Sequence, residues 1–186
     1  MAFHIMTILQ NEGFTAWLAG GCVRDGLLGR KAKDLDIATN AGPEHVEKLF
    51  EKTVNVGKQF GVIRVVSDKG DIEVATFRND GPYQDGRRPD FVTYSSPEED
   101  AQRRDFTVNA LFFDPTSGEI HDFVGGIPDL KKKILRTVGD PAKRFEEDHL
   151  RILRAVRFVG QLGFKLEPKT WAAVVQLREK LKTVSP

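Results

Sequence analysis

The aspartates of Asp34-Leu35-Asp36 follow closely on a glycine turn, Gly20-Gly21-Cys22-Val23-Arg24-Asp25. On a β-strand alternate side chains share a face, so Asp34 and Asp36 are expected to point together while Leu35 faces the core. Paired carboxylates repel unless a cation lies between them. Hard oxygen donors of this kind suit Mg²⁺, which takes one or two carboxylates and completes its shell with substrate phosphates. The glycine pair lets the backbone approach a phosphate, and Val23 to Leu28 reads as a helix start whose amides face the anion. The same residues fit a plain glycine turn before a strand with two solvated aspartates.

A second constellation lies in Glu146 to Leu162, which reads as one helix. At about 100° per residue, Ile152, Leu153, Ala155, Val156, Val159 and Leu162 occupy one half of the wheel. Asp148, Arg151, Arg154 and Arg157 recur every three residues across the other half, and the segment holds no lysine. A merely solvated face accepts lysine as readily, whereas arginine is favoured where a planar fork meets phosphate or a base edge. On a helix, Asp148 and Arg151 are i,i+3 neighbours with their heads side by side. A carboxylate acceptor beside a guanidinium donor complements cytosine and adenine, whose Watson–Crick edges set an amino group next to an unprotonated ring nitrogen. Uracil and guanine offer the reverse. The spacing alone fits an ordinary intrahelical salt bridge equally well.

The third cluster, Arg103-Arg104-Asp105-Phe106-Thr107-Val108-Asn109, offers an arginine for a triphosphate and an aspartate or asparagine for a ribose hydroxyl. Other catalytic apparatus is missing. His4, His45, His121 and His149 lack metal-ligand spacing, no Ser/His/Asp pattern is present, and the glycine turn lacks the third glycine of a dinucleotide fingerprint.

Several elements must position these groups. MAFHIMTILQNEGF reads as an amphipathic helix with Phe3, Met6, Leu9 and Gln10 along it, ended by Gly13. Pro43 opens a helix carrying Val46, Leu49 and Phe50. Strands are expected over Gly61 to Ser67 and Asp71 to Phe77, joined by Asp68-Lys69-Gly70, followed by a polar loop from Asn79 to Pro89. Ser96-Pro97-Glu98-Glu99 is a capping box for a helix running to about Arg104. NALFFD-PTSG-EIHDFV reads as a hairpin, a short helix ends at Lys131 to Lys133, and Ile134 to Val138 reads extended. Asp140-Pro141 then caps a purely helical part, so an α/β part over residues 1–139 is expected to precede a helical part over 140–186.

Charge follows the same division. Residues 1–130 carry 14 Lys and Arg against 21 Asp and Glu, whereas residues 131–186 carry 14 against 6. An acidic catalytic part joined to a basic part that meets phosphate fits this asymmetry. No apolar run is long enough to span a bilayer, no signal peptide is visible, and the single cysteine, Cys22, fits the cytoplasm and reads as a small buried filler. Oligomeric state is left open.

In this order and spacing, GGCVRDGLLGRKAKDLDIAT, RRDFTVNAL and FEEDHLRILRAVRF resemble the class II CCA-adding tRNA nucleotidyltransferases and the related bacterial poly(A) polymerases. The resemblance covers almost the whole chain. It implies an α/β (α+β) nucleotidyltransferase head of the polymerase-β type, with a mixed sheet and flanking helices, followed by an all-helical neck. By that likeness Asp34 and Asp36 bind the catalytic Mg²⁺ ions, with Glu73 a candidate third carboxylate. Gly21, Arg24 and Arg104 meet the incoming triphosphate, and Asp105 senses the ribose. Asp148 and Arg151 act as a protein template for CTP and ATP, with Arg154 and Arg157 as further nucleotide contacts. The implied reaction is in-line attack of a tRNA 3′-hydroxyl on the α-phosphate. Gly57-Lys58-Gln59-Phe60-Gly61-Val62 and the loop Asn79 to Pro89 resemble CCA-adding members more than A-adding enzymes or poly(A) polymerases. Relatives continue beyond Thr183-Val184-Ser185-Pro186, so the chain reads as a fragment that folds, binds CTP and ATP weakly, and adds nucleotides poorly. An inactive nucleotide-binding module, or a head needing a separate tRNA-binding part, is the alternative.

Overall fold

Residues 1–68 and 70–184 are described by the computed structural model. The middle of the expected turn at Lys69, and Ser185 and Pro186 at the end, lie outside the described residues.

Apolar side chains at helical spacing fold α1 (Ala2–Asn11), which buries Ala2, Ile5, Met6 and Leu9. Phe3, expected on that face, is 59% exposed, because the buried stripe follows positions 2, 5, 6 and 9. Next come β1 (Ala16–Ala19), α2 (Gly21–Leu27), β2 (Asp36–Thr39) and α3 (Pro43–Leu49). The expected strand pair appears as β4 (Val62–Ser67) and β5 (Gly70–Thr76), with β3 (Thr53–Gly57) alongside β4.

The polar loop is more ordered than its composition suggests. β6 (Arg78–Asp80) pairs antiparallel with β7 (Val92–Tyr94), and a bridge between Tyr83 and Pro89 continues the ribbon. The capping box forms as expected on α4 (Pro97–Arg103), where the Glu99 amide donates to Ser96 Oγ. The hairpin is β8 (Leu111–Phe113) and β9 (Ile120–Asp122), followed by α5 (Gly126–Lys132) and β10 (Ile134–Leu135). Asp140 caps α6 (Pro141–Glu147) by accepting from the Lys143 amide at 2.9 Å. α7 (Leu150–Leu162), β11 (Lys165–Leu166) and α8 (Pro168–Leu177) complete the fold.

Seven strands form a mixed sheet in the order β3-β4-β5-β2-β1-β8-β9, in which β2 and β5 run parallel and the other neighbours antiparallel. Alternation along β1 shows the two faces. Ala16 and Leu18 join the core made by α1, α3, Ile37, Ile63 and Val74, whereas Trp17 and Ala19 join Phe77 and Phe112. The mixed sheet with flanking helices is thus the expected architecture.

Two expectations past residue 139 need correction. That part is not purely helical, because β11 pairs in parallel with β10. The helix read over 146–162 is broken at Asp148-His149: Asp148 adopts an extended conformation and its Oδ1 accepts from the Leu150 amide at 3.0 Å. A short acidic side chain that bonds nearby backbone competes with the helix ladder. On α7 the buried residues include Ile152, Ala155, Phe158 and Leu162, while Leu153 and Val156 are exposed, so the apolar stripe is rotated from the one expected.

One apolar cluster spans the expected boundary. Phe106, Val108, Leu130 and Leu135 pack with Phe145, Ile152, Phe158 and Val174. Phe106 is fully buried and meets Phe158 edge-on at 5.8 Å. Phe106→Ala is expected to cost about 3–5 kcal/mol, lowering the melting temperature by roughly 6–20 °C. Differential scanning calorimetry should show one transition that moves as a whole, and two separately moving transitions would contradict a shared core.

Candidate active site

Strand register places the first carboxylates. β1 turns away at Gly20, so β2 can pair with it only from Asp36 onward, where Asp36 faces Ala19 on one side and Glu73 of β5 on the other. Asp34 therefore does not share the strand as expected. It lies in the bend before β2, with Leu35 packed inward, and reaches the same cleft from outside the sheet. The cleft walls desolvate the Asp36 carboxyl and push its pKa up. Glu73 and Asp34 add to this, and Arg104 opposes it. Among the described residues, no three His, Cys, Asp or Glu side chains converge as a ready-made metal cage. Crowded carboxylates of this kind match a hard divalent cation that takes part of its shell from bound phosphate.

Of the two glycines, Gly20 carries the turn. Its φ is +73°, and a Cβ there would approach Arg104 Nη1 to 3.1 Å, so the left-handed turn and the close approach both favour glycine. Gly21 begins α2, which projects Arg24 toward the cleft. Arg24 is buried; its Nε donates to Asp25 at 2.9 Å and its Nη1 to Asn109 Oδ1. Asn109 Nδ2 donates to Asp105 Oδ1 at 3.2 Å, and Asp105 Oδ2 accepts from Arg154 Nε at 2.7 Å. A continuous chain of hydrogen bonds thus ties α2 to α7 through Asp105 and the 3₁₀ turn Thr107–Asn109.

Arg104 is held from behind. Its Nε donates to Asp100 Oδ2 at 3.0 Å, its Nη1 to the Asn109 carbonyl at 3.3 Å, and it lies 4.7 Å over the Phe112 ring. Asp100 also accepts from Arg103 and from the Arg78 amide. Phe158 gathers three further guanidiniums, with Arg24 and Arg154 each 5.3 Å and Arg157 4.9 Å from its ring centroid. The negative ring face offsets part of their mutual repulsion.

The expected Asp148–Arg151 pair takes a different form. Because the helix breaks at Asp148, its carboxylate turns back to the Leu150 amide, and Arg151 Nη1 instead pairs with Glu147 at 2.9 Å and donates to the Arg144 carbonyl. Arg151 Nη2 reaches the Arg103 carbonyl at 3.2 Å and the Tyr83 hydroxyl at 3.4 Å. Burial pushes the Asp148 carboxyl up, against the Leu150 amide and the charges of Arg151 and Arg87. The ribbon between β6 and β7 folds onto this corner. Gly86 accepts from the His149 amide at 2.8 Å, and with φ +66° it sits where a Cβ would collide with the His149 ring.

A cleft of about 750 Å³ collects all ten residues singled out by the sequence: Gly21, Arg24, Asp34 and Asp36; Arg104 and Asp105; and Asp148, Arg151, Arg154 and Arg157. It is also lined by Glu73, Asn109, Tyr83, Arg87 and Phe158. Sequence reasoning passed over Phe158, although it lies three residues after the buried Ala155 and seven after Arg151, on the inward stripe of α7. Tyr83 and Arg87 carried no spacing signal. No helix of the described residues is long and apolar enough to cross a membrane.

Comparison with known proteins adds to this geometry. The family described as the poly A polymerase head domain matches residues 16–136. The CCA-adding enzyme of Bacillus pumilus (strain SAFR-032) is 49% identical over 185 residues, covering 99% of this chain and 46% of that protein. The crystal structure of the Bacillus stearothermophilus CCA-adding enzyme in complex with CTP matches with a TM-score of 0.89 at 46% identity, over 99% of this chain and 44% of that one. A tRNA nucleotidyltransferase complexed with a primer tRNA and an incoming ATP analog matches with a TM-score of 0.77 at 32% identity, over 95% and 51%. The chain therefore spans about half the length of the proteins it matches.

The frame under the cleft predicts its own acid sensitivity. Burial pushes the Asp100 carboxyl up, but the Arg104 and Arg103 guanidiniums outweigh it and hold the pKa below the ordinary value. The group's contribution is therefore present above the unfolded pKa and lost as pH falls through the lowered folded value. Asp100→Ala is expected to cost about 3–5 kcal/mol at neutral pH, because it leaves buried guanidiniums uncompensated. The stability gap between the two proteins, followed by urea denaturation, should hold at mild acidity and shrink only below the ordinary aspartate range.

Proposed function

Because the chain belongs to the poly A polymerase head-domain family, we propose that it is the catalytic head of a template-independent RNA nucleotidyltransferase that builds CCA on tRNA 3′ ends from CTP and ATP. The observation that carries this reading is the convergence, in one cleft, of carboxylates from β2 and β5 with arginines from α2, α4 and α7 and their connections. The names of the relatives support CCA addition over A-only addition or poly(A) synthesis. Division into a head over 1–139 and a neck over 140–186, and a cytoplasmic location, belong to the same reading.

Asp34 and Asp36, with Glu73 beside them, would hold Mg²⁺, which when bound supplies charge neutralisation and a lowered pKa for the attacking hydroxyl. Arg24, Arg104 and the backbone at Gly21 meet the triphosphate. Asp25, Asn109 and Asp100 already hold those guanidiniums, so negative charge is met without reorganisation. Asp105 faces the sugar, its carboxylate fixed by Arg154 and the Phe106 amide. The primer 3′-hydroxyl attacks the α-phosphate in line and pyrophosphate leaves, a reaction in which positioning does most of the work. Asp148 accepts from the amino group of cytosine or adenine, and Arg151 donates to the adjacent ring nitrogen once it releases part of its present contacts.

The deciding assay gives the chain tRNA ending at the discriminator base, with CTP alone, ATP alone and both, in Mg²⁺. Slow, inefficient extension is expected, ending at CC with CTP alone and at CCA with both nucleotides, and a long A tail would sink the CCA reading. Asp36→Ala should abolish extension while leaving the fold intact by circular dichroism. Arg151→Ala should weaken discrimination against UTP by about 5–150-fold, the worth of one bidentate base contact of about 1–3 kcal/mol; unchanged selectivity would remove the templating role. Since base reading needs the Asp148 carboxylate and its pKa is raised, the ratio of CTP to UTP incorporation should fall as pH drops. That fall should begin above the range where an ordinary aspartate titrates.

A further inference from the structure

Most cations at the cleft are tied to carboxylates, but a second group is not. Arg30, Lys31 and Lys33 are exposed on the segment that leads from α2 into Asp34, and among the described residues no carboxylate pairs with any of them. Arg30 instead donates to the Gln161 and Leu162 carbonyls at 3.2 and 3.5 Å, which straps this segment to the C-terminal end of α7. Three residues past Leu162 the chain reaches Lys165, whose amide donates to the Lys133 carbonyl at 2.9 Å. Lys133 and Lys165, joined by that bond, are both exposed and likewise lack a carboxylate partner among the described residues.

Lys133 adds an independent sign. It caps α5 with φ +54°, the one non-glycine residue with positive φ among the described residues. Helices favour glycine there, because a side chain strains the left-handed conformation. A lysine in that place costs stability that glycine would recover, and such strain concentrates at working surfaces. The strip therefore starts beside the carboxylate at Asp34, passes the end of α7 and ends at a lysine the fold itself does not favour.

We propose that Arg30, Lys31, Lys33, Lys133 and Lys165 form the track on which the phosphate backbone of the primer RNA lies as its 3′ end enters the cleft. The proposal rests on the nucleotidyltransferase reading above. A polyanion with evenly spaced charges fits exposed, unpaired cations carried on segments joined one to the next by hydrogen bonds. RNA is favoured over other polyanions because the strip begins at the carboxylates where a 3′-hydroxyl must arrive. Binding of this kind releases counterions, so affinity falls with salt in proportion to the phosphates neutralised.

The test titrates an RNA hairpin with an unpaired 3′ end against the chain over a range of salt concentrations, by fluorescence anisotropy. Lys133→Gly is the sharpest variant. Its melting temperature should equal or exceed that of the parent, while the slope of log affinity against log salt falls by about 0.7. The pair Lys31→Ser and Lys33→Ser should lower the slope by about 1.4, whereas Lys48→Ser with Lys52→Ser, the same charge change placed on and after α3, should leave it unchanged. An unaltered slope in the strip variants, an equal loss in the control pair, or binding to anionic vesicles with none to RNA would overturn the track. Calorimetric titration of CTP with Mg²⁺ into the same proteins separates the two readings. Absent CTP binding in the parent defeats the nucleotidyltransferase reading, while intact CTP binding with strip-independent RNA affinity defeats the track alone.

Discussion

Asp100 receives Arg103 on one oxygen and Arg104 on the other, accepts the Arg78 amide as well, and the rest of the cleft is built outward from that arrangement. A concave surface crowded with guanidiniums expels its own charges unless each is held from behind. Here each cluster has its own anchor. Glu147 holds Arg144 and Arg151, Asp105 holds Arg154, and Asp25 with Asn109 holds Arg24. Because most of the anchors are acidic or amide side chains on helices, the protein itself holds the donors in set directions. Electrostatic stabilisation of a transition state depends on that kind of preorganisation.

The parallel pairing of β2 with β5 does for the carboxylates what Asp100 does for the arginines. In an otherwise antiparallel sheet it brings Asp36 level with Glu73, residues far apart in sequence, and leaves two like charges adjacent. Such adjacency is unfavourable in isolation; Arg64 relieves part of it by donating to Glu73 Oε1 at 2.8 Å, and a cation or proton at Asp36 would relieve the rest.

How far the sequence disclosed this depends on the range of the signal. Local devices were legible: the capping box at Ser96, the cap at Asp140 and the β8–β9 hairpin formed as expected, and the N-terminal helix formed with Phe3 turned outward. The ten residues chosen for their chemistry all reach one cleft, because residue type and motif order survive errors of local geometry. The geometry itself was misread wherever tertiary context overruled a local period. Asp34 left the strand because Gly20 turns β1 away, and Asp148 broke a helix that hydrophobic spacing alone would continue. Val156 was given to the core where Phe158 belongs, a rotation of the stripe that the Arg24 and Phe106 side chains decide. The ribbon from Arg78 to Tyr94 was invisible because its pairing joins residues across a polar turn without an alternating apolar pattern.

The cluster around Phe106 and Phe145 gives the chain a property that its linear division conceals. The two sides of Gly139-Asp140 share one interior, with Phe106, Leu130 and Leu135 contributed before it and Phe145, Ile152 and Val174 after it. Severing the backbone at that point would leave the halves associated, since neither can cover its apolar face without the other. The connection there acts as a tether more than a hinge. The orientation of α7 over the carboxylates is set by buried aromatic contact rather than by the peptide that links them, so two separately synthesised pieces should find the same arrangement by complementation.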